Sequence, residues 1–201
     1  MIMKNDRQCL RCGTCCGKGG PALHPGDLDL LERATLSLPD LITIRKGEPA
    51  FNPFTETVEP AVVEFVKIAG KGADWECRFY DPAGSACIIH SDRPLECRLL
   101  KCWDVGQLQA ISGKECLSRF DLIGKDDPLR PHIITQEEKC SYTKINLLLD
   151  KIADPAGSGV EGLKAVIQED LAIRQQAITL FDLTLSLELF YFGRPLFKVL
   201  Q

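Results

Sequence analysis

The sequence predicts an α+β fold: a cysteine-rich loop and a small β-hairpin come first, and a helical half completes the chain. Three observations predict it. Ten cysteines stand among 201 residues, and eight fall into two groups: Cys9, Cys12, Cys15 and Cys16, then Cys77, Cys87, Cys97 and Cys102. Residues 41 to 89 carry short strand-like pieces punctuated by Pro49, Pro53 and Pro60. Beyond residue 91 the apolar spacing turns helical.

The first twenty residues read as a loop, because Gly13, Gly17, Gly19, Gly20 and Pro21 break regular structure. A helix is expected from Asp27, as its cap, to Leu38, with Pro39 ending it. Strands are expected at Leu41–Ile44, Val62–Ile68 and Trp75–Tyr80. Asp81-Pro-Ala-Gly84 reads as a turn, with Ala86–Ile89 as the returning strand. A short helix is expected over Asp92–Cys102, since Pro94 is tolerated in a first turn, and a second over Val105–Leu117. Thr135-Gln-Glu-Glu138 has the pattern of a capping box for a third, reaching Ala153. Asp154–Gly159 reads as a linker or turn. Val160–Phe181 is the strongest helix, with Val160, Leu163, Ile167, Leu171, Ile178 and Phe181 on one face. Leu183–Leu189 alternates like a strand, but Asp182 as cap and Gly193 as stop favour a helix. No internal repeat is evident. The reading places a cysteine-cluster region at 1–104 and a helical region packed on it at 105–201, within one domain.

Lys plus Arg is 24 and Asp plus Glu is 28, a net charge of −4. A mildly acidic chain is a poor polyanion ligand, so no nucleic-acid partner is expected. The N-terminus lacks the apolar core of a secretory signal, and no apolar run is long enough to span a membrane. A cytoplasmic protein is expected, whose reduced thiols serve metal binding or catalysis rather than disulfides.

Cys9-Leu-Arg-Cys12-Gly-Thr-Cys15-Cys16 repeats the C-x-x-C step, in which two intervening residues let both sulfurs converge on one ion. Three such positions in series resemble the ligand run of a bacterial ferredoxin. Adjacent side chains diverge, so one of Cys15 and Cys16 is expected to face a second metal or the core. Cys77 and Cys87 flank the Asp81–Gly84 turn and are expected to face each other across the hairpin. Cys97 falls in a helical first turn, where the partial positive charge favours the thiolate. Arg93 and Arg98 add cationic charge and are expected to bind the cofactor. Cys102 lies five residues beyond Cys97, on a stripe with Leu95 and Leu99, and is the weaker ligand candidate. Cys140 reads as a core residue on a helical face with Leu148 and Ile152. Cys116, His24 and His132 also read as structural; His90, between two cysteines, is the most interesting histidine. The ligand set is therefore Cys9, Cys12, Cys15, Cys16, Cys77, Cys87, Cys97 and Cys102. The two groups should meet in space, because neither offers a complete set alone. The metal partner is an iron–sulfur cluster, slightly favoured, or zinc, since eight thiolates also make two tetrahedral sites.

Cys9, Cys12, Cys15, Cys16, Cys77, Cys87, Arg93, Pro94, Cys97 and Arg98 give these residues a resemblance to the YkgJ-type cysteine-cluster family over about residues 7 to 104. That resemblance implies chelation of zinc or iron by the cysteines and fixes neither the metal nor a reaction. One departure is His90, at a place where the family usually carries tyrosine. The family also resembles the cysteine-rich part of flagellin lysine N-methylases, which implies an iron–sulfur-dependent methylase-like or other redox enzyme as the alternative. The helical half offers no independent support for that activity. No dinucleotide fingerprint, phosphate-binding loop, H-E-x-x-H or C-x-x-x-C-x-x-C is present. A structural metal module, a metal-dependent enzyme and a metallochaperone are the classes left.

Overall fold

The computed structural model describes residues 9–10, 12–153 and 159–201. The stretch before Cys9, Arg11 and residues 154–158 of the turn expected over Asp154–Gly159 lie outside them. In chain order the elements are α1 (Leu28–Glu32), β1 (Leu41–Ile44), β2 (Pro49–Asn52), β3 (Thr57–Pro60), β4 (Phe65–Ile68), β5 (Gly70–Lys71), β6 (Glu76–Cys77), β7 (Tyr80–Asp81) and β8 (Ala86–Cys87). Helices α2 (Leu95–Leu99), α3 (Gly106–Ile111), α4 (Arg119–Leu122), α5 (Arg130–Lys139), α6 (Tyr142–Ala153), α7 (Val160–Phe181), α8 (Leu185–Phe192) and α9 (Leu196–Val199) follow. This is the expected α+β mix with a helical C-terminal half. Among the described residues no helix is long and apolar enough to cross a membrane. The chain divides into two compact units. One takes the chain up to Leu36 together with Ile68–Glu115; the other takes Ser37–Lys67 and Cys116–Gln201.

The first unit carries nearly all the cysteines. Its α1 is shorter than expected, because Ala34 turns left-handed at φ 56° and Leu36 N reaches back to Leu30 O at 3.0 Å. Asp27 precedes α1 without capping it through its side chain; its carboxylate is engaged elsewhere. The strand expected at Trp75–Tyr80 is two strands, and they form a repeat that the sequence hides. Gly70 pairs with Cys77 and Lys71 with Glu76; ten residues on, Tyr80 pairs with Cys87 and Asp81 with Ala86. Arg78 N donates to Ala69 O, and Ile88 N donates to Phe79 O, each at 3.0 Å. Both four-residue turns end on a left-handed residue, Trp75 (φ 56°) and Ser85 (φ 47°). Only the cysteine recurs between the paired positions, so composition does not betray the repeat. Cys77 and Cys87 are therefore equivalent residues of successive hairpins, not partners across one. The helix expected over Asp92–Cys102 stops at Leu99, so Cys102 lies off the Leu95–Leu99 stripe. The next one stops at Ile111, before Gly113 at φ 70° and Glu115 at φ 49°, leaving Cys116 outside it.

In the second unit every residue of β1 is buried, and β1 pairs with β4. The β2–β3 hairpin between them was not expected; its strands carry prolines at both outer ends. Thr135 does not cap a helix. It lies inside α5, its hydroxyl bonded to Pro131 O at 2.9 Å, because Pro131 in the first turn starts the helix earlier. Cys140 ends α5 rather than joining the face of α6, and it is fully buried as expected of a core residue. Helix α7 has the expected bounds, but its buried face is Val166, Asp170, Ile173, Arg174 and Ala177, while Val160 and Leu171 are exposed. The apolar stripe misleads because an ion pair occupies the inner face. Helix α8 is a helix as expected, with Thr184 rather than Asp182 as its cap; Asp182 is the left-handed end of α7.

A short helix leaves its last carbonyls without partners, and here side chains take them over. Thr43 Oγ1 donates to Phe190 O (2.5 Å) and Arg119 Nη1 to Tyr191 O (2.5 Å). Arg174 donates to Phe192 O (2.8 Å), Gly193 O (3.1 Å) and Arg194 O (3.1 Å). Arg45, Arg119 and Arg174 are all buried, so each needs anionic company. Glu137 serves both Arg45 and Arg119, Glu64 joins Arg119, and Asp170 and Glu188 hold Arg174 at 2.9 Å each. The cationic guanidiniums lie where the helix dipole leaves negative charge.

Candidate metal centre

The site is built from three segments of the first unit. The loop from Cys9 to Gly20 is shaped by close approach. Gly13 adopts φ 77°, and a Cβ there would stand 2.3 Å from Tyr80 Cε2. Gly17 N returns to Gly13 O at 2.9 Å, and a single 3₁₀ turn carries Cys16–Lys18. Gly20 lies against Ile68, whose N donates to Pro21 O at 2.9 Å. The loop is thus laid onto the start of the hairpin repeat, beside Cys77 and Cys87. The third segment is α2. Its first N–H, on Leu95, donates to Asp27 Oδ1 at 2.7 Å, and Glu96 Oε2 accepts from Ala22 N at 2.9 Å.

These ties bring both cysteine groups together. Cys16 and Cys97 each feel the charge of Cys15, Cys77 and Cys87, and each other's company is felt at Cys97. Burial pushes the Cys16 thiol up to about 12, with Cys15, Cys87 and Cys77 adding to the shift. Burial likewise pushes the Cys97 thiol well up, followed by Cys77, Cys15, Cys16 and Cys87. The expected depression of Cys97 by the start of its helix is overridden: desolvation and four like-charged neighbours outweigh one turn's partial charge. Cys15 is exposed and Cys16 half-buried, so the two neighbours meet different surroundings.

The remaining candidates have other surroundings. Cys9, Cys12 and Cys102 are exposed. A hydrogen bond with the Thr14 hydroxyl (3.2 Å) lowers the Cys12 thiol. Cys102 stands in the turn closed by the Lys101–Asp104 bridge. Arg93 Nη1 engages His90, at 2.7 Å from Nε2 and 3.1 Å from its carbonyl oxygen. Arg98 Nη2 stands 3.6 Å from Asp27 Oδ1. Among the described residues no three His, Cys, Asp or Glu side chains already close on one point as ligands of an ion. Cys15, Cys16, Cys77, Cys87 and Cys97 lie within reach of one another's charge, and thiols are the soft ligands which select zinc, iron–sulfur clusters or copper(I).

Sequence reasoning missed Glu96 and read Asp27 only as a cap, while His24 is structural as expected, 3% exposed. The signal for Glu96 was present, one residue before Cys97 in Arg93-Pro-Leu-Glu-Cys-Arg98. Nothing local marks Asp27 as a partner of a helix that starts 68 residues later.

A family model named CxxCxxCC, "Putative zinc- or iron-chelating domain", matches residues 8–117. No curated protein and no solved structure matches the chain.

Proposed function

From the premise that the chain belongs to the CxxCxxCC family of zinc- or iron-chelating domains, we propose that its cysteines hold iron as an iron–sulfur cluster. The observation that carries this is the gathering of Cys15, Cys16, Cys77, Cys87 and Cys97 from three segments of one unit. Two adjacent cysteines whose charges both reach Cys97 suit a polynuclear centre, because a single tetrahedral ion can rarely use both. Exposed Cys9, Cys12 and Cys102 complete the ligand set at the rim. Arg93 and Arg98 flank Cys97 in sequence and offset the negative charge of a thiolate cluster. Such a centre supplies one-electron chemistry when bound; the chain's own part is to gather the thiols and shield their inner members from water.

The same thiols would seat zinc, and colour separates the two metals. Full-length protein made and kept without oxygen is expected to be brown, to contain iron and sulfide, and to bleach in air. A colourless anaerobic preparation with stoichiometric zinc and no iron would overturn the iron reading.

A further inference from the structure

We infer that Asp27 and Glu96 are positioning residues of the metal centre, acting through α2 to set where the Cys97 thiol stands; this rests on Cys97 being a metal ligand. Helix α2 has five residues and no side-chain cap of its own. So short a helix does not hold its place by propensity. Its two opening residues are instead each tied to a remote segment. Leu95 N donates to Asp27 Oδ1 at 2.7 Å, and the Glu96 carboxylate accepts from Ala22 N at 2.9 Å.

Both ties end on residues 22–27, the stretch that leads directly out of the cysteine loop. One residue there touches both carboxylates. His24 N donates to Asp27 Oδ2 at 3.0 Å, and His24 Nε2 lies 3.3 Å from Glu96 Oε1. Arg98, just past Cys97, faces Asp27 Oδ1 at 3.6 Å. Asp27 has no exposed surface and His24 is 3% exposed. A carboxylate withdrawn from water this completely is costly unless its oxygens are used, and here they are used to fasten α2. The lever is short. Leu95 and Glu96 immediately precede Cys97, so a shift of either bond moves the thiol relative to Cys15 and Cys16.

The test is a chelator competition on the full-length, metal-loaded chain, with the near-ultraviolet thiolate-to-metal absorption followed alongside. Asp27→Ala is expected to weaken metal retention about 10- to 100-fold, the usual effect of removing a group that orients a ligand. Asp27→Asn keeps an oxygen for Leu95 N but turns its NH2 toward His24 N, and should restore part of the loss. In a Cys97→Ser background Asp27→Ala should change retention by less than about twofold, because the two act through one thiol. Glu96→Ala should repeat the pattern, and it carries the test alone if Asp27→Ala does not fold. An equal loss in both backgrounds, or wild-type retention in Asp27→Ala and Glu96→Ala while Cys97→Ser is weakened, would overturn the positioning role alone. Wild-type retention in Cys97→Ser would overturn the ligand reading on which the role depends.

Discussion

Replacing Arg174 by Met keeps most of the side chain's volume and removes its charge and five donated contacts. Arg174 is 2% exposed. Its guanidinium holds Asp170 and Glu188 at 2.9 Å each and donates to the carbonyls of Phe192, Gly193 and Arg194. Without it, Asp170 keeps only Gln136 Nε2 (2.6 Å) and Leu196 N (3.1 Å), and Glu188 loses its ion-pair partner. Breaking a buried pair by removing one member costs about 3–5 kcal/mol. The orphaned carbonyls do not add fully to that figure, because contacts in one network are not additive. Against a total stability of roughly 5–15 kcal/mol, the loss is large. The assay is urea unfolding at neutral pH followed by circular dichroism. With a slope of about 2 kcal/mol per M, the midpoint should fall by roughly 2 M. Arg33→Met is the control. Arg33 pairs with Asp29 and Asp92 at 3.0 Å, but its side chain is 53% exposed, so its removal should leave the midpoint almost unchanged. A midpoint for Arg174→Met no lower than that of Arg33→Met would refute the reasoning.

Three further outcomes are expected. Gly13→Ala meets a left-handed backbone at φ 77° and the Tyr80 ring at 2.3 Å; metal retention should drop while hydrogen exchange in α5–α8 is unchanged, and full retention would contradict the loop geometry. Burial opposes ionisation of Glu137, yet its bonds to Arg45 and the charges of Arg45 and Arg119 hold its carboxyl below the ordinary value of 4.5. A depressed carboxylate contributes stability that is complete above that value and is lost as pH falls through the lowered one, so Glu137→Gln should flatten the acid limb of the stability profile. An unaltered limb would assign the acid loss elsewhere. Stripping the metal should raise exchange in residues 9–36 and 68–115 and spare β1 and α5–α8; uniform deprotection would count against a metal-dependent unit.

The cysteines were legible because their spacing is short-range: C-x-x-C steps are read within one turn of chain. Helix α7 was legible over its whole length because an unbroken helix-forming stretch runs from the glycine-rich segment before it to Asp182. Its inner face was not, because Asp170 and Arg174 are charged residues that burial normally excludes, and their partners are remote in sequence: Gln136, Glu188, Leu196 N and the carbonyls of 192–194. The hairpin repeat escaped notice for a related reason. Its register depends on backbone bonds such as Arg78 N to Ala69 O, which any side chain but proline permits. Helix bounds failed where a non-glycine residue turns left-handed, as at Ala34 and Glu115, since neither residue type announces that conformation. Asp27 read as a cap for the helix beside it, and its carboxylate instead meets Leu95; sequence proximity does not rank competing donors.

Metal content measured on single variants from each segment tests the shared site most directly. Cys16→Ser, Cys77→Ser and Cys97→Ser remove one thiol each from the loop, the hairpin repeat and α2. Cys140→Ser changes a cysteine in the other unit, where the thiol meets Val166 O at 3.6 Å. With protein prepared without oxygen and metal quantified by mass spectrometry, the first three should each lose most of the bound metal while Cys140→Ser keeps it. Wild-type metal content in any two of the first three, or an equal loss in Cys140→Ser, would contradict a single centre built from all three segments.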